Sequence, residues 1–289
     1  MSDLFAPSQI PHQTLIQNAR IQLDLKRLDL VHPQISGNKF YKLKYNFQQA
    51  QQQQKIGVLT FGGAYSNHIA ATAFAAHGLG LKSIAIIRGE ELAHKKLNST
   101  LSTAQQFGMQ LHFVSRQHYQ QRHEVEFLQT LARQYPDFLI IPEGGTNSLA
   151  IQGCKEILTP DDLSNYDQFC CAVGTGGTLA GLIESSLPTQ QILGFSALKG
   201  DFLTHDVQQL TLKRNWQITD AYCCGGYAKT TPELMQFIQN FEAQYQIPLE
   251  QIYTAKMLMG LFDLIKKDYF ASGTRILAIH TGGLQGRQI

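Results

Sequence analysis

The sequence predicts an α/β protein made of open, twisted parallel sheets with helices on both faces. Three observations point there. Short β-rich runs alternate with helical patterns along nearly the whole chain, the alternation that parallel sheets require. Four of those runs end in glycine-rich turns, the usual place for ligands in open parallel sheets. At 289 residues the chain is long enough for one large or two modest domains, each with its own core.

Taken in order, strands are expected at 56–61, 82–87, 110–114, 138–141, 169–173, 192–195, 218–222 and 275–279. Between them lie helical patterns. At 124–135, Val125, Leu128, Leu131, Ala132 and Tyr135 share one face, and at 254–270 Leu258, Leu261, Phe262, Ile265 and Tyr269 do the same. Both read as core stripes. The glutamine-rich segment 48–54 reads as the solvent face at a helix end, and no internal repeat is evident.

Bulk composition excludes several classes. Apolar residues make up 43% and charged residues 16%, with a net charge of +2. No basic block is long enough to track a phosphate backbone, so nucleic-acid binding is not expected. No run approaches the ~18–20 apolar residues of a membrane span, and the first residues lack a signal-peptide pattern. The expectation is a cytoplasmic protein with no membrane partner. The 5 cysteines include no CxxC, so no disulfide framework is expected. Cys170 and Cys171 read as core, while Cys223 and Cys224 could equally pack or line a pocket. The 10 histidines show no HExxH, no metal is expected, and no GxSxG marks a hydrolase.

The glycine-rich turns carry the chemistry. Gly174, Thr175, Gly176, Gly177 and Thr178 lead from a strand into a helix. Converging N–H groups at a helix start suit a phosphate dianion, and the threonine hydroxyls add donors. The turn lacks the Gly-Lys-Ser/Thr of a nucleoside-triphosphate loop, and Leu179 stands where a dinucleotide fingerprint needs its third glycine. A single phosphate monoester remains; the plainer alternative is a tight strand–helix turn. In SGNKFYKLKY, Lys39 follows Gly-Asn at a helix start. The helix terminus and nearby Lys42 favour a neutral, nucleophilic amine, although alone the motif reads better as a solvated basic helix start. In GGAYSNH, Ser66, Asn67 and His68 open a helix whose N–H groups suit a substrate carboxylate, unless Ser66 or Asn67 merely caps it. In HTGG, Thr281 can meet a ring nitrogen without forcing a proton onto it.

At these residues the chain resembles the 1-aminocyclopropane-1-carboxylate deaminase / D-cysteine desulfhydrase family of pyridoxal 5'-phosphate (PLP) enzymes. The matching segments are GNKFYKL, GGAYSNH, PEGGTN, GTGGTLAGL, YTAKMLMGLFD and IHTGG, in the family's order. The resemblance implies a tryptophan synthase β-like (fold-type II) architecture. A smaller domain, 41–150, is inserted into a larger one, 1–40 plus 151–289, with the active site between them. It implies that Lys39 carries the cofactor and returns protons, and that Lys42 joins the 174–178 turn on the phosphate. Asn67 would bond the ring oxygen, Ser66 the substrate carboxylate, and Thr281 the ring nitrogen, with Tyr227 and Tyr253 as active-site tyrosines. His68 and Thr254 complete the expected substrate contacts. Thr254 and Thr281 follow the desulfhydrase-like pattern, so the expected reaction is α,β-elimination from a small β-substituted amino acid, best D-cysteine. The alternatives are a cyclopropane-ring-opening or other small amino-acid deaminase, and a PLP-binding protein without turnover. Relatives in this family are commonly homodimers. Tyr41 and Ala70 stand where the family often has arginine.

Overall fold

The computed structural model describes residues 3–287. Among these the strands run β1 His12–Gln17, β2 Ile21–Lys26, β3 Gly57–Gly62, β4 Lys82–Arg88, β5 Met109–Val114, β6 Phe138–Ile140, β7 Gln168–Val173, β8 Gln191–Ser196, β9 Trp216–Thr219 and β10 Thr274–Ile279. They form two sheets, ordered β1-β2-β10-β7-β8-β9 and β5-β4-β3-β6. The chain divides into two units. Of the described residues, the smaller comprises Lys39–Ala150 with 3–6; the larger comprises Pro7–Asn38 and 151–287.

The smaller unit's sheet is wholly parallel. All six residues of β3 are buried, as expected of a strand covered on both faces. Ile69, Ala73, Leu101 and Ala104 of the helices Asn67–Gly78 and Ser99–Gln106 pack with Ala85 and Ile87 of β4. A separate cluster joins Leu59, Phe61, Ile84 and Ile86 to Tyr119 and Leu131. Of the stripe expected at 124–135, Leu128, Leu131 and Tyr135 pack there, joined by Phe127. Val125 and Ala132 face solvent instead. The helix Asn38–Gln52 ends in the exposed run Gln51–Gln54, as the glutamine-rich segment suggested.

The larger unit differs from expectation at one edge. β1 and β2 form an antiparallel hairpin that sequence reading missed, and only from β2 onward is the sheet parallel. Glutamines, Asp24 and Lys26 hid the hairpin by diluting its hydrophobic signal. Its turn is set by Asn18, whose Oδ1 accepts from the N–H groups of Arg20 and Ile21, each at 2.9 Å. The buried β2 charges are paired: Tyr166 donates to Asp24 at 2.7 Å, and Lys26 forms an ion pair with Asp162. β9 sits earlier than the expected 218–222 because the chain turns at Ala221 and Tyr222, closed by the Cys223 N–H donating to Asp220 O at 3.1 Å. In the helix Thr254–Lys266, Leu258 and Leu261 are fully buried, whereas Tyr269 lies beyond the helix and half-exposed. The five cysteines are free thiols, and Cys170 and Cys171 are buried in β7.

Asp162 ties this unit's edge together. Its carboxylate meets the buried Lys26 ammonium, His12 Nε2 at 2.8 Å and the Thr159 N–H at 2.8 Å. Burial pushes its pKa up, but the His12 bond and the Lys26 charge outweigh that and hold it well below the usual range. Removing one member of a buried pair strands the other charge. Asp162→Ala is therefore expected to lose about 3–5 kcal/mol of stability, measured by denaturant unfolding, with a smaller loss for the neutral, similarly shaped Asp162→Asn.

Candidate active site

Strand order places the four glycine-rich turns. In the larger sheet the chain runs outward from β7 through β8 to β9, then returns to β10 on the other side of β7. That reversal is a topological switch point, where open sheets form ligand crevices at strand carboxyl ends. The 174–178 turn follows β7, and Thr281–Gly283 follow β10 by one residue. The smaller sheet repeats the arrangement: β3 leads to β4 and β5, and β6 returns beside β3. GGAYSNH overlaps the end of β3 and EGGTN follows β6. Each unit thus brings two of its glycine turns to neighbouring strand ends.

In the larger unit these turns meet at Asn38. Its backbone N–H donates to Thr281 O at 3.1 Å, and its side-chain amide donates to Thr178 Oγ1 at 2.9 Å. Gly37 makes this approach possible. It has φ +69°, and a Cβ there would stand 1.9 Å from Thr281 O. The residue immediately before Lys39 is therefore held to both turns at once. Gly176 caps the helix Gly177–Ser185 with φ +76° and has no side chain with which to cap its first N–H groups. Those groups are available to an anion. Gly174 admits the Tyr253 ring, whose Cε1 would lie 2.9 Å from an added Cβ. Tyr227, about half exposed, meets Tyr253 edge-on with centroids 6.2 Å apart.

Two buried charges support the tyrosines. Glu250 receives the N–H groups of Ile252 at 2.8 Å and of Tyr253 and Thr254 at 2.6 Å, capping the helix that begins at Thr254. Burial raises its pKa, partly offset by these bonds. Lys256 donates to the carbonyls of Cys223 at 2.8 Å and Gly226 at 2.9 Å, fastening the turn before Tyr227. Cys223 is buried beside this clamp, and Cys224 is half-buried in a left-handed conformation. His280, fully buried, accepts from Gly282 N–H on Nδ1 at 3.2 Å and meets Pro248 O through Nε2 at 2.9 Å. It is thereby the Nε2–H tautomer and fixes the turn that carries Thr281. Burial lowers its pKa, which keeps the ring neutral.

In the smaller unit, Lys39 is half-buried and Lys42, one helical turn on, is buried. The Lys42 ammonium donates to Gly144 O at 2.6 Å and Thr146 Oγ1 at 2.8 Å, which brings the EGGTN turn to the lysine helix. Asn147 and Asn46 exchange amide hydrogen bonds beside it. Ser66 occupies the N-cap of the helix Asn67–Gly78, but its hydroxyl makes no capping bond. The capping alternative therefore does not account for it. Asn67 is half-buried and His68 fully buried. Tyr41 and Ala70 are buried too, Tyr41 edge-on to Phe40.

Sequence reading named the turns, the two lysines and the tyrosines, and the larger unit gathers Thr178, Gly174, Tyr253, Tyr227 and Thr281. Thr175 is exposed. Thr254, expected to contact substrate, is fully buried, with its hydroxyl 3.4 Å from Glu250 Oε1. Asn38, Thr146, Glu250, Lys256 and His280 were not singled out. An acid just before a helix start and a lysine inside an apolar stripe were the available signals for Glu250 and Lys256.

These groups fit an aromatic aldehyde bearing one phosphate. There is a lysine at a glycine-hinged helix start, an uncapped helix N-terminus for the dianion, and at Thr281 a hydroxyl that makes no hydrogen bond among the described residues. Fold and site together define a PLP-dependent enzyme of the tryptophan synthase β-like class. The chain belongs to the family described as pyridoxal-phosphate dependent enzyme, whose model matches residues 10–282. It is 30% identical over 284 residues to a putative 1-aminocyclopropane-1-carboxylate deaminase of Thermotoga maritima, covering 91% of this chain and 88% of that one. It is also 30% identical over 293 residues to the bifunctional mitochondrial D-cysteine desulfhydrase/1-aminocyclopropane-1-carboxylate deaminase of Arabidopsis thaliana, covering 92% and 73%. A solved structure described as an ACC deaminase homologue superposes with TM-score 0.78 and 27% identity, covering 97% of this chain and 91% of that one.

Gly37→Ala combines a left-handed φ with a backbone clash. It is expected to cost more than the roughly 1–3 kcal/mol of a strained residue alone, read as a fall in melting temperature together with weaker cofactor retention.

Proposed function

We propose that this protein deaminates a small β-substituted amino acid by α,β-elimination, with D-cysteine as the best substrate, giving pyruvate, sulfide and ammonia. The observation that carries the reading is the double hold on Asn38, which sets the start of the lysine helix against both the phosphate turn and Thr281. PLP, when bound, supplies an electron sink for the bonds at the substrate's α-carbon. The protein's own residues do the rest. The N–H groups at the start of the helix Gly177–Ser185, with Thr178, hold the phosphate, and Thr281 meets the ring nitrogen. Asn67 bonds the ring oxygen. Ser66, with a hydroxyl not spent on its own helix, holds the substrate carboxylate together with the neighbouring N–H groups.

Lys39 Nζ takes the α-proton once its amine is released. A positioned general base of this kind contributes typically ~10²–10⁴-fold. Tyr253 and Tyr227 flank the leaving group, and Glu250 and Lys256 hold them there. Thr254 acts through Glu250 rather than by touching substrate, because its hydroxyl is buried against that carboxylate. Thr281, a hydroxyl rather than an acid, does not force a proton onto the ring. That favours substrates whose leaving group departs early, such as sulfide, over ring opening. Cyclopropane deamination is the second reading, supported by the relatives whose names carry that activity.

Lys39→Ala is expected to abolish both the near-visible absorption of the loaded protein and the borohydride-fixed adduct. A fixed adduct at a different lysine would overturn the assignment. A panel of D- and L-amino acids, assayed for ammonia and 2-oxo acid, is expected to rank D-cysteine above 1-aminocyclopropane-1-carboxylate; the reverse ranking would replace the first substrate with the second.

A further inference from the structure

Asn98 caps one helix and reaches into the turn that opens another. It precedes the helix Ser99–Gln106, and its Oδ1 accepts from the Leu101 N–H at 2.9 Å. Its Nδ2 donates to Ala64 O at 2.9 Å, inside the GGAYSNH turn. The Leu101 N–H can only donate and the Ala64 carbonyl can only accept, so the two partners fix which way round the amide sits. Aspartate, serine and asparagine cap helices about equally well. Aspartate has the reach to Ala64 O but no hydrogen to give, and serine is one bond shorter. Only asparagine meets both demands.

The second bond lands on the part of the turn between its two backbone anchors. The Ser66 N–H donates to Gly63 O at 3.1 Å, closing the turn over Ala64 and Tyr65. The Ser66 hydroxyl makes no capping bond to its own helix. A trans peptide directs its C=O and N–H to opposite sides. With Ala64 O drawn to Asn98, the Tyr65 N–H faces away from it. Asn98, half-buried, is itself carried on packed structure. Leu101 and Ala104 of its helix pack with Ile69 and Ala73 of the helix that the turn opens, and Leu97 and Ala64 join the same cluster. The turn is therefore referred to a fixed framework rather than to solvent.

We propose that Asn98 is a positioning residue for substrate binding. By holding the Ala64–Tyr65 peptide it sets the turn whose Ser66 hydroxyl and neighbouring N–H groups receive the substrate carboxylate. The inference rests on the reading of that turn as the carboxylate site, and it gives the turn a support outside its own helix. Without the bond the peptide can rotate, and its donors have to be ordered again when the carboxylate arrives. The loss therefore falls on substrate binding and not on proton transfer at Lys39.

Two variants separate the hold on the turn from the helix cap. Asn98→Asp keeps an acceptor for the Leu101 N–H but has no hydrogen for Ala64 O, and Asn98→Ala loses both bonds. Asn98→Asp should melt near wild type and Asn98→Ala lower. Both should raise KM about three- to tenfold, the weight of one hydrogen bond, with kcat within about threefold. The inhibition constant of D-alanine, which has no β-leaving group, should rise by the same factor. That of D-alaninamide, which lacks the carboxylate, should stay near wild type, a distinction that a merely structural role would not make. In cofactor-free protein the Ser66 amide should exchange its hydrogen faster in Asn98→Asp, while Ser102, bonded to Asn98 O, stays protected. Unchanged exchange at Ser66, or equal weakening of both inhibitors, would overturn the proposal even in an enzyme that deaminates as proposed. An effect confined to Asn98→Asp would be charge repulsion and would overturn it too. Faster exchange at Ser66 in a protein that neither deaminates nor binds alanine would uphold the hold on the turn and sink the functional reading instead.

Discussion

The candidate site hangs on two hydrogen bonds made by one asparagine. Asn38 precedes Lys39, and it donates from its backbone to Thr281 and from its side chain to Thr178. Each acceptor belongs to a turn at the β7/β10 switch point. On the proposed reading, in which Lys39 reacts with one ring atom while these turns hold the ring's phosphate and nitrogen, the lysine has to start from a fixed backbone position. Effective positioning of this kind can account for a large share of a catalytic barrier. The glycine at 37 is part of the same device, since no side chain fits against the Thr281 carbonyl.

Around this hold, buried charges stiffen what an apolar core could not. Glu250 gathers three N–H groups at the helix start below Tyr253, and Lys256 holds two carbonyls in the turn before Tyr227. Hydrogen bonds to charged groups are the stronger kind, and buried ones are costly to leave half-made. The tyrosines themselves are only partly buried, and these anchors fix the backbone from which they project. His280 plays the corresponding part for Thr281, neutral and saturated between Pro248 and Gly282.

Much of this was legible in the sequence, for identifiable reasons. The parallel strands announced themselves because runs such as QFCCAV are buried on both faces and therefore continuously apolar. The glycine turns were visible because left-handed residues and close backbone approaches leave few alternatives to glycine. The β1–β2 hairpin was hidden because Asp24 and Lys26 are buried through long-range partners, Tyr166 and Asp162, that no local pattern contains. Val125 fits a helical stripe yet faces solvent at the helix's first position. The Thr254 hydroxyl turns inward to Glu250, a placement that periodicity cannot foretell.

The most direct test of the central claim is the affinity of Asn38→Ala for PLP, followed by absorption under equilibrium dialysis. The backbone bond to Thr281 survives this change, and the side-chain link to Thr178 is lost. The account predicts an affinity about tenfold weaker, equivalent to roughly 1.4 kcal/mol, in a protein that still folds. Retention of cofactor at wild-type affinity would show that the asparagine does not set the lysine against the phosphate turn.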